Sequence, residues 1–428
     1  MRKHCTRQIC CSGLGLALLL ACLSVASRAL AGGIVGTGTP DSCTEAALDA
    51  ALAGPGTVTF SCGKDPVTIT VTNVKIIAAN TTIEGDDRVA LSGGGTTQVF
   101  TVIDRHVVLK LLHLTIRDGF STWPGGWHGG AIFNKGTLSV TGCTFANNHT
   151  AEVGGGAIAS FGKLSVASTT FSDNSASGHH GGAILNDGPL SVSNSTFVNN
   201  SAVAGTLYSG GTGGAIASYG RLTVTNTTFS NNSVTDKDGA DGLGGAIFNF
   251  GSLSVANSTF ANNSASQLGG AICTFDVGRV SVTNCTFADN TGSPGTGGAI
   301  AQFGDRLPVT LRNTIVANHT ADPNCQVSIA DKGHNIDSGT SCGFSSAKGS
   351  LNNTDPQLDP AGLADHGGLT QTIAVEAGSP AINAGDKAAC RAAPVKKLDQ
   401  RGFVRPGTGS TSCTIGAYEF NSPSAFTR

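Results

Sequence analysis

Apolar and polar positions alternate in short runs along most of the chain, and from Gly129 onward the runs recur as copies of one phrase. Gly-Gly-Ala-Ile begins at Gly129, Gly155, Gly181, Gly213, Gly244, Gly269 and Gly297. Each copy continues through a glycine turn and a strand pattern such as Leu138-Ser139-Val140, then Thr-Phe (Thr-Ile in the last) and Asn. A period of 25 to 32 residues is the signature of stacked units, none of which can bury its apolar side alone.

Side chains two apart on a strand share a face, so Leu138 and Val140, Leu164 and Val166, and Leu222 and Val224 are expected to point inward. Phe145, Phe171, Phe197, Phe229, Phe260 and Phe287 align as one column, with Ile315 ending it. At a strand spacing of about 4.8 Å these rings would lie one above another. Three residues further, Asn148, Asn174, Asn200, Asn232, Asn263, Asn290 and Asn318 form a second column. Asn tolerates left-handed backbone angles, and its amide pairs with identical amides above and below, which predicts an asparagine ladder. The glycine pair marks a corner that excludes a Cβ. Together these columns predict an all-β fold, a right-handed single-stranded parallel β-helix (solenoid) of about ten coils, about 45 to 50 Å long by coil rise.

Upstream, β-branched runs at residues 58–60, 67–71, 74–77, 81–83, 89–91, 99–103, 107–109 and 112–116 are punctuated by Gly, Asn or Asp, which predicts two to three irregular coils. Residues 43–52 read as a short amphipathic helix, capped by Asp41 or Ser42 and stopped by Gly54-Pro55-Gly56, placed to cover the open first coil. The chain thus divides into an export signal at 1–31, an N-terminal helical cap at 41–66, the β-helix at 67–320 with regular repeats at 129–320, a C-terminal cap region at 321–420 and a disordered end at 421–428.

The signal consists of Arg2, Lys3 and Arg7, an apolar run over residues 14–25, then Ala29 and Ala31. That run is too short to span a membrane in the mature chain, and no other stretch approaches the about 18 apolar residues a span requires. A second reading makes Leu19-Leu20-Ala21-Cys22 a lipobox with Cys22 as a lipid anchor. The protein is expected to be exported and then secreted, periplasmic or held at the cell surface. Export permits disulfides. Local spacing pairs Cys43 with Cys62, Cys325 with Cys342, and Cys390 with Cys413, each stabilising by roughly 3 kcal/mol. Cys143, Cys273 and Cys285 are left over and are expected as small buried side chains.

The Gly-Gly-Ala-Ile and Thr-Phe-x-x-Asn alternation resembles the repeats of chlamydial polymorphic outer-membrane proteins and other bacterial surface β-helices. After the last coil, Asp355-Pro356-Gln357-Leu358, the stretch from Gly378 to Asp386, Asp399-Gln400-Arg401-Gly402 and Ile415-Gly416-Ala417-Tyr418-Glu419 resemble the tail of choice-of-anchor Q proteins. The two resemblances cover most of residues 41–420. They imply an exported bacterial protein of a group whose biochemical role is mostly unassigned. The stretch from the tail to Arg428 departs from that group in lacking a sorting helix.

Composition narrows the function. A net charge of −2 and 13% charged residues leave no footprint for nucleic acid and no polybasic surface for lipid. P-loop, Cys-x-x-Cys and nucleophile-elbow patterns are absent from the sequence. Only 16 Asp, Glu, Lys and Arg fall between Gly129 and Thr320. Aligning the coils puts Asp187 just before a corner glycine, with Lys163 and Arg221 just after the matching glycines on either side. These three are the candidate catalytic residues, and Tyr219 falls in the same column as Asp187 one coil on. A lyase, however, needs a base beside a neutralised substrate carboxylate, and one carboxylate between two cations also reads as an exposed ion-pair set.

Asp236, Asp238 and Asp241 share one loop that could order around Ca2+, although the spacing departs from an EF-hand and lacks its distal Glu; no other cofactor is expected. Trp123 and Trp127 are candidate binding residues for a sugar ring or a protein partner, with packing over the coil side as the alternative. His128 and His180 fall two coils apart, too far to share a metal. The expected function is an exported, adhesin-like scaffold whose variable loops bind a polysaccharide or surface-protein ligand. The alternatives are a polysaccharide lyase or other carbohydrate-active enzyme, and a purely structural extracellular protein.

Overall fold

Alternation decides which side of each strand is buried. In the computed structural model, Thr137–Thr141 buries Leu138 and Val140, and Lys163–Ala167 buries Leu164 and Val166. The structure describes residues 32–424 other than 123–127, 152, 179, 204–210, 236–241, 276–277, 305–306, 318–322 and 328. Equivalent strands pair in parallel without slippage: Leu138 lies beside Leu164, followed by Leu190, Leu222 and Leu253. The described residues form parallel sheets of 12, 11, 10 and 6 strands, here sheets 1 to 4, and a two-stranded pair. A coil runs from Ile132–Asn134 in sheet 3 through Thr137–Thr141 in sheet 1 and Thr144–Ala146 in sheet 2 to His149–Thr150 in sheet 4. The next coil begins at Ile158–Ser160, again in sheet 3. The fold is the expected right-handed parallel β-helix of about ten coils, the hand that strand twist favours in parallel crossovers.

Phe145, Phe171, Phe197, Phe229, Phe260 and Phe287 are fully buried and stacked, with centroids 4.7 to 4.9 Å apart and planes within 8° of parallel. The column ends at Val316, not at Ile315. The last coil is one residue longer than Thr314-Ile315 suggests, so Ile315 pairs with Thr286 on the outer face and packs with Val375, Ala381 and Ile415.

The asparagine ladder runs through Asn148, Asn174, Asn200, Asn232, Asn263 and Asn290, each Nδ2 donating to the next Oδ1 at 2.9 Å. Asn318 lies outside the described residues. The left-handed backbone falls one position earlier than expected, on Asn147, Asp173, Asn199, Asn231, Asn262 and Asp289. The turn residue and the ladder residue are therefore separate jobs on adjacent positions. At the glycine corner, Gly213 has φ +66° and a Cβ on Gly214 would lie 2.0 Å from the Gly245 carbonyl oxygen.

Cys143 and Cys285 sit in a column otherwise held by hydroxyls. Each thiol donates to the carbonyl two residues back, at 3.4 and 3.3 Å, as Thr169, Ser195, Thr227 and Ser258 do at 2.7 to 2.8 Å. Cys273 is buried on the outer side of sheet 3. The other six described cysteines form the three expected disulfides, Cys43–Cys62, Cys325–Cys342 and Cys390–Cys413.

Gly32–Val35, a strand absent from the sequence expectations, pairs with Gly56–Phe60 and opens the stack. The helix Glu45–Leu52 closes that end, burying Leu48 and Ala51. Its cap is Thr44, whose side chain accepts from the Ala47 N–H; Asp41 and Ser42 belong to a separate 3-10 turn. At the far end Cys325–Gln326, Ile329–Asp331 and Ile336–Asp337 continue the stack, and Phe344 joins the core.

Beyond about residue 352 the chain turns back along the outside of sheet 2. Gln400 Oε1 accepts from Thr259 Oγ1 at 2.7 Å, Gln400 Nε2 donates to Thr228 Oγ1 at 2.8 Å, and Ala417 N–H donates to Thr286 Oγ1 at 3.0 Å. Two buried ion pairs brace this segment, Arg401 with Asp399 at 2.7 Å and Arg405 with Glu419 at 3.3 Å. The Arg401 guanidinium also lies 3.8 Å from the Tyr418 ring centroid and 4.1 Å from that of Phe403. The Asp399-Gln400-Arg401-Gly402 and Ile415 to Glu419 motifs thus clasp the tail to the coils. Ser424 bridges Phe403.

Candidate functional site

In sheet 3 the residue after each inward Ile points outward: Phe133, Ala159, Leu185, Ala217, Phe248, Cys273 and Ala301 pair in register. All are nonetheless buried. Part of their cover comes from the corner position two residues on, just before the turn: Phe161, Tyr219, Phe275 and Phe303 pack on this layer, and Lys135 Nζ lies over Phe133. The two positions complement each other in size. Where the strand offers Ala159, Ala217, Cys273 or Ala301, the corner is aromatic; where it offers Phe133 or Leu185, the corner is Lys135 or Asp187. Phe248 and Phe250 are both large, and Phe250 is left 38% exposed.

The result is a partly exposed aromatic ridge along the axis. Centroids step 6.0 Å from Tyr219 to Phe250, 5.3 Å to Phe275 and 4.8 Å to Phe303. His180 Nδ1 and Tyr219 Oη lie 3.2 Å apart, and burial pushes the Tyr219 hydroxyl up to about 12. His128 stacks on Phe133 at 4.7 Å, its pKa lowered by burial and then by Lys135.

Lys163 and Arg221 lie just past the turn glycines, flanking Pro189 in one column, with Asp187 at the corner of the intervening coil. The structure brings the three to one edge, and all are exposed. Among the described residues no ion pair joins them, and no three of His, Cys, Asp and Glu are grouped to hold a metal. Trp123, Trp127, Asp236, Asp238 and Asp241 lie outside the described residues. Thr122 and His128, which bound the tryptophan loop in sequence, both line a cleft of about 590 Å³ with Asn73, Val74, Ile76 and Phe120. Val74, Ile76 and Ile103 expose 39%, 62% and 57% of their surface at this end of sheet 3.

Apart from Tyr219, which the coil alignment puts in the column of Asp187, the corner aromatics escaped the sequence reading although their signal was present. Phe161, Tyr219 and Phe250 directly precede Gly162, Gly220 and Gly251, so aligning on the turn glycine gathers them into one column.

The chain is similar to the Chlamydia polymorphic membrane protein repeat over residues 168–187, 226–249 and 257–274. Each matched span begins at the left-handed residue entering sheet 2 (Ser168, Asn226 or Asn257) and ends in sheet 3 or at its outer corner. No curated protein and no solved structure matches the chain.

Proposed function

We propose that the protein is an exported scaffold, secreted or held at a cell surface, that presents the outer corner of sheet 3 and its adjoining loops to a polysaccharide or a surface protein. The β-helix and the matched repeats fit a surface or extracellular scaffold. The finer reading rests chiefly on where length varies. Successive ladder asparagines are 26, 26, 32, 31 and 27 residues apart, yet every amide contact is 2.9 Å. In the 32- and 31-residue steps the extra residues enter between sheet 4 and the next glycine pair, and variable loops on a rigid frame are the usual place for recognition.

Three disulfides suit an oxidising compartment, and the tail motifs, with their likeness to choice-of-anchor Q proteins, support export. Among the described residues no helix is long and apolar enough to cross a membrane. In this reading Trp123 and Trp127 contact the ligand, and Ca2+ at Asp236, Asp238 and Asp241 orders a loop without taking part in chemistry.

The test is incubation of the purified protein with acidic and neutral polysaccharides, with and without Ca2+. Binding without turnover, weakened by Trp123→Ala and Trp127→Ala, is the expected result. New reducing ends or unsaturated products would overturn it in favour of catalysis around Lys163, Asp187 and Arg221. Neither binding nor turnover would leave a purely structural protein.

A further inference from the structure

We propose that the outer corner of sheet 3 binds an acidic polysaccharide lengthwise, pairing uronate carboxylates with Lys163 and Arg221 and laying sugar faces on the aromatic ridge. The proposal rests on the binding-scaffold reading and names its ligand class.

Charge is the first argument. The chain as a whole carries −2, yet over the four coils from Lys135 to Arg221 the corner and the position just past the turn hold three exposed cations, Lys135, Lys163 and Arg221, against one carboxylate, Asp187. Further along, exposed Arg279 is offset in sequence by Asp276, so the excess is confined to these coils. Among the described residues no carboxylate lies within 4 Å of Lys135, Lys163 or Arg221, so these three cations keep their capacity for charge-assisted bonds to an arriving anion.

Geometry is the second. Coils rise by about 4.8 Å, so Lys163 and Arg221, two coils apart in one column, are separated by about 9 to 10 Å along the axis. A pyranose is close to one coil rise in length. In an extended uronate chain with a two-residue twist, alternate carboxylates face the same side, which matches cations on alternate coils. The intervening coil offers Asp187, an acceptor for the hydroxyl of the sugar between. Phe161 and Tyr219 flank Asp187 in the corner column, and both are partly exposed. Aromatic rings give sugar C–H faces an apolar platform, and Tyr adds a polar edge.

The experiment titrates the full secreted chain with oligomannuronates and oligogalacturonates, using β-1,4-mannan, the carboxyl-free counterpart of mannuronate, as control. At least one uronate should bind, at least about tenfold more tightly than mannan, and binding should weaken several-fold between about 50 and 500 mM salt. Lys163→Ala with Arg221→Ala should cost about tenfold or more in affinity while leaving the unfolding midpoint unchanged, because both side chains are exposed. Failure of both uronates to bind, equal binding of mannan, or indifference to the double substitution would each overturn the proposal. If uronates fail while another polysaccharide or a cell surface is bound without turnover, only the ligand class is wrong. Release of reducing ends would remove the scaffold reading beneath it.

Discussion

Replacing Asn232 with Ala should break the β-helix at the middle of its asparagine ladder. The Asn232 amide makes four buried bonds. Its Oδ1 accepts from the N–H and the Nδ2 of Asn200, at 3.1 and 2.9 Å; its Nδ2 donates to the Phe197 carbonyl at 3.0 Å and to Asn263 Oδ1 at 2.9 Å. Two of the four partners are only partly deprived, because Asn200 Nδ2 keeps the Phe171 carbonyl and Asn263 Oδ1 keeps the Asn232 N–H. The Asn200 N–H and the Phe197 carbonyl lose this partner in a dry interior, at about 1 to 3 kcal/mol each. The expected loss is about 3 to 5 kcal/mol. Because each coil contacts mainly its neighbours, a weak interface in mid-stack should also broaden the unfolding transition and lower the apparent m-value. Urea unfolding followed by circular dichroism measures both. Ser191→Ala, which removes an exposed 3.3 Å contact to Ser165, is the control and should stay within about 0.5 kcal/mol. A loss below about 1 kcal/mol at Asn232 with an unchanged m-value would refute the ladder as a source of stability.

Three further outcomes follow from buried groups. Burial pushes the Glu45 carboxyl up, but bonds from Lys75, from the Thr72 N–H and hydroxyl and from the Asn73 N–H outweigh it and bring the carboxyl from 4.5 to about 2. The stabilisation of the N-terminal cap is therefore full above pH 4.5 and lost as pH falls through about 2. A shift of 4.5 minus about 2, at 1.36 kcal/mol per unit, bounds it at about 3 kcal/mol, nearer 1 after solvent screening; the stability gap between wild type and Glu45→Gln should close by about pH 2. Burial holds the Cys143 and Cys285 thiols up at about 12 and raises Cys273 as well, so all three should resist iodoacetamide at neutral pH until the chain is unfolded, and native labelling would contradict their placement. Gln400→Ala removes bonds to Thr228, Thr259, Thr370 and Gln371 and should open the region beyond residue 352 to limited proteolysis while the coils stay intact.

The columns were legible because a strand's period of two and a coil's near-constant length leave the same side chain at the same corner seven times over. Legibility failed where counting could not see the backbone. Thr314-Ile315 resembles the earlier Thr-Phe pairs, but one added residue rotates Ile315 outward and Val316 in. Asp41, Ser42 and Thr44 are all competent caps, and only the 3-10 turn at Pro40–Ser42 selects Thr44. The side-on docking of the tail depends on contacts 131 to 172 residues apart, such as Ala417 to Thr286 and Gln400 to Thr228, and contacts that distant leave no periodic trace. At the candidate site, Lys163, Asp187 and Arg221 were readable as one edge with Tyr219 in the Asp187 column, whereas the rest of the aromatic corner was hidden because its members alternate with charged residues.

That alternation separates function from folding. Inward positions are dictated by stacking and repeat with little freedom: Ile, Leu, Val, Phe and the ladder Asn. Outside, sheet 1 is nearly uniform, with Ser139, Ser165, Ser191, Thr223, Ser254, Ser281 and Thr310 in one column, and sheet 2 is covered in its later coils by the tail. At the corner of sheet 3 the side chain changes from cation to ring to carboxylate while the backbone beneath stays in register. A corner residue must cover the strand residue two positions back, a demand that Phe, Tyr or a Lys stem can each meet. Substitution there can therefore alter what the ridge binds at little cost to the stack, whereas the same change on an inward column would be felt first as lost stability.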